Sequence, residues 1–264
     1  MTNWYQVREE KFAFPQGASV NALLAELSEM LTSPDPEIRD DLAFTTLATW
    51  IDEGVVPEDR LRPLGDLMAQ RLASDEVWTR SFAALALCVI VATGGACELS
   101  WVDAFETWYP HERDLRGYDP KLGWLHAVAH GADLLGEFGL RQEVEPRRML
   151  ELAGQRMSAE TDLVWRDKED ARLAYAIGKV LTRSDLTRED AKVWLAPLAQ
   201  MLSEPVAGAI PAPATNTLNT LRTLYVLLSR GVRLTPTEVV AASRTEHLLE
   251  PLAEVMHPAT PWMW

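Results

Sequence analysis

The strongest constraint on this chain is what its pattern lacks. No run alternates apolar and polar residues long enough to form a half-buried strand. Apolar residues at helical spacing recur instead from one end to the other, cut by Pro and Gly. Leu23, Leu24, Leu27, Met30 and Leu31 mark a first helix. Ser33-Pro34-Asp35-Pro36-Glu37 then reads as a turn with an acidic helix start. The next helix passes through Ile38, Leu42, Leu47, Trp50 and Ile51 and stops at Gly54. Further helices are expected over residues 57–72, 77–92 and 99–108. A loop from His111 to Pro120 leads into a central helix that ends near Gly139. Later helices are expected near 145–157, 168–181, 188–202, 215–228 and 236–256, with a proline-rich loop at 205–213. The C-terminal stretch from Pro258 is expected to be non-helical, with Trp262 and Trp264 docked on the body to avoid a sticky patch.

A loose repeat underlies this order. Arg39, Arg80, His126, Arg172 and Arg222 fall early in alternate helices, at spacings of 41, 46, 46 and 50 residues. That period fits stacked helical hairpins. The expected fold is all-α, an α/α superhelix of about five to six hairpins of the HEAT/armadillo kind. No break in charge or composition marks a second domain, so residues 1–264 are read as one solenoid.

Composition limits the function classes. The chain has 264 residues, 47% of them hydrophobic, enough for a substantial core. Its ten tryptophans are scattered from Trp4 to Trp264, and Trp50, Trp78 and Trp101 sit at helical spacings that suit helix–helix contacts better than a stacking platform. A formal charge of −14 repels a phosphate backbone, which disfavours nucleic acid as a partner. Two cysteines, Cys88 and Cys97, make no disulfide framework and are read as reduced thiols, with Cys88 in the core. The N-terminus has neither a basic start nor an apolar run, and the uncharged stretch from Ser81 to Cys97 is short for a membrane span and broken by Gly94-Gly95. A cytoplasmic protein without a membrane segment is expected.

The chemistry-bearing residues concentrate in the middle. Gly117-Tyr118-Asp119-Pro120-Lys121-Leu122-Gly123-Trp124-Leu125-His126-Ala127-Val128-Ala129-His130-Gly131-Ala132-Asp133 places His126, His130 and Asp133 at i, i+4 and i+7. On a helix these three project from one face. If the repeat helices line one trough, Arg80 and Arg172 lie on neighbouring helices, with Arg116 and Tyr118 in the preceding loop. A basic and imidazole cluster in a concavity suits a carboxylate, a phosphate or an acidic peptide segment.

The run Glu112-Arg113-Asp114-Leu115-Arg116-Gly117-Tyr118, followed by Gly123-Trp124-Leu125-His126-Ala127-Val128-Ala129-His130-Gly131-Ala132-Asp133-Leu134-Leu135, resembles the signature of a bacterial family of proteins of unknown function, numbered 2785. Arg80-Ser81-Phe82-Ala83-Ala84-Leu85-Ala86-Leu87 and Glu169-Asp170-Ala171-Arg172-Leu173-Ala174 are similar to it as well, so the resemblance covers about residues 74–180. It implies an all-helical bacterial protein and carries over no activity and no site residue.

Two functions from different classes follow. The favoured one is a binding or scaffold module that accepts an acidic or polar ligand or protein segment at Arg80, Arg116, Tyr118, Trp124, His126, His130, Asp133 and Arg172. The alternative is a metal-assisted hydrolase, with a divalent metal on His126, His130 and Asp133. Position 127 is Ala where the metalloprotease motif needs Glu, so the peptidase version is absent. Ser81 shows no base nearby in the sequence, Gly94-Gly95 ends a helix rather than cradling phosphate, and no catalytic residue is assigned.

Overall fold

The computed structural model describes residues 2–263. It is all-helical apart from two short hairpins. In chain order the helices are α1 (Trp4–Glu9), α2 (Val20–Met30), α3 (Thr45–Asp52), α4 (Glu58–Arg71), α5 (Val77–Ala92), α6 (Leu99–Trp108), α7 (Ala127–Leu140), α8 (Pro146–Ser158), α9 (Glu169–Leu181), α10 (Asp190–Val193), α11 (Ala196–Ser203), α12 (Ala212–Arg230) and α13 (Leu249–Met256). A π-helical segment, Glu37–Phe44, runs directly into α3. The hairpins pair β1 (Tyr118–Asp119) with β2 (Gly123–Trp124), and β3 (Val232–Arg233) with β4 (Val239–Val240). No helix among the described residues is long and apolar enough to cross a membrane.

The chain forms two compact units. The first comprises residues 1–108 and 116–134, the second residues 109–115 and 135–264. In the first, α4 packs on α5 and α6, α3 packs on α5, and α2 packs on the π-helical segment. Leu27, Leu42, Leu47, Trp50, Met68, Leu87, Ile90 and Trp101 form its core. The Trp50 indole is fixed by its N–H, which donates to the Phe12 carbonyl at 2.6 Å, and Phe14 packs on its ring. In the second, α9 and α12 pack along one another, α8 lies against both, and α11 joins α8 and α13. Met149, Leu150, Ile177, Leu221, Leu224 and Leu228 are buried there. Gly178 permits that approach, since a Cβ on it would come within 2.7 Å of Leu227.

Several expectations change. The central helix begins at Ala127 rather than soon after Pro120, because residues 117–126 turn back as the β1–β2 hairpin. His126 therefore precedes the helix, in the left-handed region at φ +46°. The expected helix at 236–256 is helical in α13 only. Gly231 at φ +96° and the β3–β4 pairing turn the chain before it. The helix expected at 188–202 breaks into α10 and α11. Cys88 is half-buried rather than core, because α5 gives Leu87, Ile90 and Val91 to the interior and turns Cys88 toward a groove with Ala48, Thr49 and Asp52. Trp262 does not dock: it is 81% exposed, while Thr260 is the tail residue that is buried, with its hydroxyl on the Met256 carbonyl. Trp264 lies outside the described residues.

Candidate functional site

The site is built on the β1–β2 hairpin of the first unit. Asp119 shapes the turn: its Oδ1 accepts the backbone N–H groups of Lys121 (2.9 Å) and Leu122 (3.0 Å). Those two bonds, with the Arg116 guanidinium beside them, hold the carboxyl below the usual carboxylate range. Gly123 then adopts φ +72°, and a Cβ there would sit 2.6 Å from the Pro36 Cβ, so both backbone conformation and space require glycine. The Gly117 carbonyl accepts the N–H of Leu125 (2.8 Å) and of His126 (3.2 Å), closing the open end.

Arg39 ties this hairpin to the core. It is fully buried, and its Nη2 donates to the carbonyls of Leu122 (2.8 Å) and Trp124 (3.4 Å). Its Nη1 donates to the carbonyl of Ser33 at 3.2 Å, and its guanidinium lies 4.6 Å from the Phe82 ring centre. Asp40 supplies the counter-charge at 2.7 Å. Even so, burial pushes the Asp40 carboxyl up to about 6, against the opposing pull of Arg39.

Arg80, 41 residues later, makes a matching bond to its own preceding turn. Its Nη1 donates to the Ser74 carbonyl at 2.7 Å, the same six-residue offset as Arg39 to Ser33. In both turns the serine hydroxyl also caps a backbone N–H two residues on, Asp35 at 3.1 Å and Glu76 at 3.3 Å. The 41-residue spacing thus marks two equivalent turn locks in the first unit. Arg39 has no exposed surface, so it acts on the hairpin from within the fold.

A line of rings runs from the hairpin surface inward. Tyr118 and Trp124 are direct cross-strand partners, edge to face at 4.9 Å between centroids, and 48% and 44% exposed. Trp124 stacks on His126 at 4.4 Å with the planes 8° apart. The His126 and His130 rings are 5.7 Å apart, and His130 meets Phe82 edge-on at 5.2 Å. Although His126 stands outside α7, its carbonyl accepts the His130 N–H at 2.8 Å, so the expected one-turn relationship survives.

His130 is buried and its Nδ1 lies 2.8 Å from the Ser81 hydroxyl. Ser81 gives its own proton to the Leu125 carbonyl, which can only accept. His130 must therefore donate from Nδ1, and this fixes its tautomer. A serine with no exposed surface that spends its proton on a carbonyl is a structural linker and not a nucleophile. Sequence reasoning singled out His130 but missed its pairing with Ser81, because 49 residues separate the two.

Asp133 is half-buried on α7. Among the described residues, no three His, Cys, Asp or Glu side chains gather closely enough to hold a metal ion. Arg172 belongs to the second unit, on α9, where with Arg156 it opposes the effect of burial on Tyr109, whose hydroxyl is pushed to higher pKa. Arg113 and Asp114 also fall in the second unit, where their N–H groups are capped by the buried Glu112 carboxylate at 2.8 and 2.9 Å. Arg156 in turn donates to the carbonyls of Tyr109 and Glu112, each at 2.9 Å.

The family described as "Protein of unknown function (DUF2785)" matches residues 69–228, more than half the chain and including the hairpin, α7 and the Ser81–His130 pair. The chain belongs to the DUF2785 family. No curated protein and no solved structure matches it. Within the span shared with DUF2785 lie Arg80, Arg116, Tyr118, Trp124, His126, His130, Asp133 and Arg172, whereas Arg39 and Pro36, which brace the hairpin, lie before it.

Proposed function

We propose that the protein is a non-catalytic binding module that presents the β1–β2 hairpin to an acidic or polar protein segment. One observation carries this reading. Tyr118 and Trp124 are large, adjacent and nearly half exposed, on a turn that the buried Arg39 holds from beneath. Exposed aromatics on a braced loop cost little entropy to immobilise and suit recognition. Arg116 stands beside them, 43% exposed at its side chain and paired with Asp119, so an incoming carboxylate can compete for it. The groups best suited to chemistry, His130 and Ser81, are buried and already committed to one another.

The two equivalent turn locks support reading the first unit's helices as stacked hairpins of a HEAT-like superhelix. The two cysteines are half-buried and too few for a disulfide framework, which suits a reducing, cytoplasmic setting.

A peptide library displayed on phage and selected on the purified protein tests the reading. Enrichment of acidic sequences whose binding is lost in Trp124→Ala and Tyr118→Ala, with helicity unchanged, supports it. Selected peptides that bind both variants as well as the wild type would sink it.

A further inference from the structure

The second unit holds a groove of about 480 Å³ between α12 and α13. Arg222, Tyr225 and Val226 form one wall, at i, i+3 and i+4 on α12, and Ala253 and Met256 form the other on α13, with Met263 at the edge. The volume falls within the range of about 300–1,000 Å³ typical of small-ligand sites. Val226 is 61% exposed and Met263 about half exposed, so the walls present apolar surface to water. The opposite face of α12, through Leu221, Leu224 and Leu228, is already spent on the core.

Arg222 is the one charged residue among the described residues lining this groove. Its guanidinium makes no hydrogen bond or ion pair with any other described residue, in contrast to Arg39, Arg71, Arg156 and Arg183, which all bond to backbone carbonyls. A cation with no partner among the described residues, at an otherwise apolar groove in a chain carrying a net charge of −14, complements one negative charge on an apolar body. A polyphosphate or nucleic acid would need further cations, which the lining lacks. Two methionines among the walls adapt to flexible chains.

We propose that this groove binds an aliphatic monocarboxylate of medium chain length, with the carboxylate on Arg222 and the chain against Tyr225, Val226, Met256 and Met263. The site involves no hairpin residue, so it stands or falls separately from the function proposed above.

Dodecanoate, dodecanol and dodecyltrimethylammonium, each below its micellar concentration, are titrated into the full chain by calorimetry. The change in intrinsic fluorescence that is lost in Trp262→Phe provides a second readout next to Met263. The expected result is one dodecanoate per chain, bound about tenfold more tightly than the alcohol, the scale of a charge-assisted contact. Arg222→Met should erase that preference while leaving dodecanol binding unchanged, and Val226→Asp should weaken both. Both positions are exposed, so the variants should melt as the wild type does. Equal binding of all three amphiphiles, or an acid preference that survives Arg222→Met, overturns the proposal. So does a dimer that Val226→Asp dissociates in a protein that takes up no dodecanoate, because the groove would then be an interface between copies.

Discussion

Arg39 shows how one side chain can organise a site without belonging to its surface. A buried guanidinium must find acceptors or lose several kcal/mol of solvation, and four loop carbonyls supply most of them here. Its carboxylate partner gives a test. Asp40 titrates at about 6 in the fold, above the ordinary aspartate value of 3.8, so the folded state holds a proton that the unfolded chain has released. Stability contributed by protonation is therefore present at low pH and lost as pH rises through 6. Between pH 5 and 7.5 this amounts to about 1 kcal/mol. Asp40→Asn cannot ionise, so the urea stability of the variant relative to wild type should be higher at pH 7.5 than at pH 5 by about that amount; a difference that does not vary with pH refutes the assignment. Ser81→Ala should cost about 1–3 kcal/mol in the same measurement, because it strands both the Leu125 carbonyl and the His130 Nδ1–H. Arginine at a loosely repeated spacing was legible in the sequence. Its role was not, because a contact from Arg39 to Leu122 spans 83 residues and leaves no local mark.

At the level of elements, boundaries were readable where local chemistry and burial agree. α5 and α6 begin and end where their apolar spacing says they should, with Gly94-Gly95 and Pro110 as stops. The opening of α7 was not, because Leu122, Leu125 and Val128 also keep a helical spacing while Asp119, Gly123 and His126 fold the chain back. Local turn chemistry outweighed periodicity. The same conflict shortened the last helix, where Gly231 and the Val232–Val240 pairing compete with a run of apolar residues. The hairpin reading is testable at Gly123. Gly123→Ala meets both a left-handed backbone and Pro36, and should cost about 1–3 kcal/mol. Its distinctive signature is faster amide exchange at Leu122, Leu125 and His126, with α5 amides changing no more than the global loss requires. Unchanged exchange in the hairpin would show that the turn tolerates a side chain and that the two contacts do not brace it.

At the scale of the whole molecule, the path of the chain matters more than its composition. The backbone passes between the two compact units three times, after Trp108, Leu115 and Leu134. The last passage lies inside α7, whose residues 127–134 belong to the first unit and 135–140 to the second. Helix formation is cooperative, so melting either unit removes the tertiary support of half of α7 and frays the rest. The sequence showed no linker because none exists at the dividing point: a boundary inside a regular helix leaves no Pro, Gly or charge signal there. This path predicts one unfolding transition despite two units. Calorimetric and van't Hoff enthalpies should agree, and far-ultraviolet circular dichroism should coincide with tryptophan fluorescence through the melt. A lesion placed in one unit should act on both. Gly139→Leu forces a side chain where a Cβ already comes within 2.3 Å of Val180, so it damages the second unit directly. The midpoint reported by amides of α5, in the first unit, should fall together with that reported by α9. A variant in which α9 melts early while α5 keeps its wild-type midpoint would mean that α7 is a joint between independent domains and does not couple them.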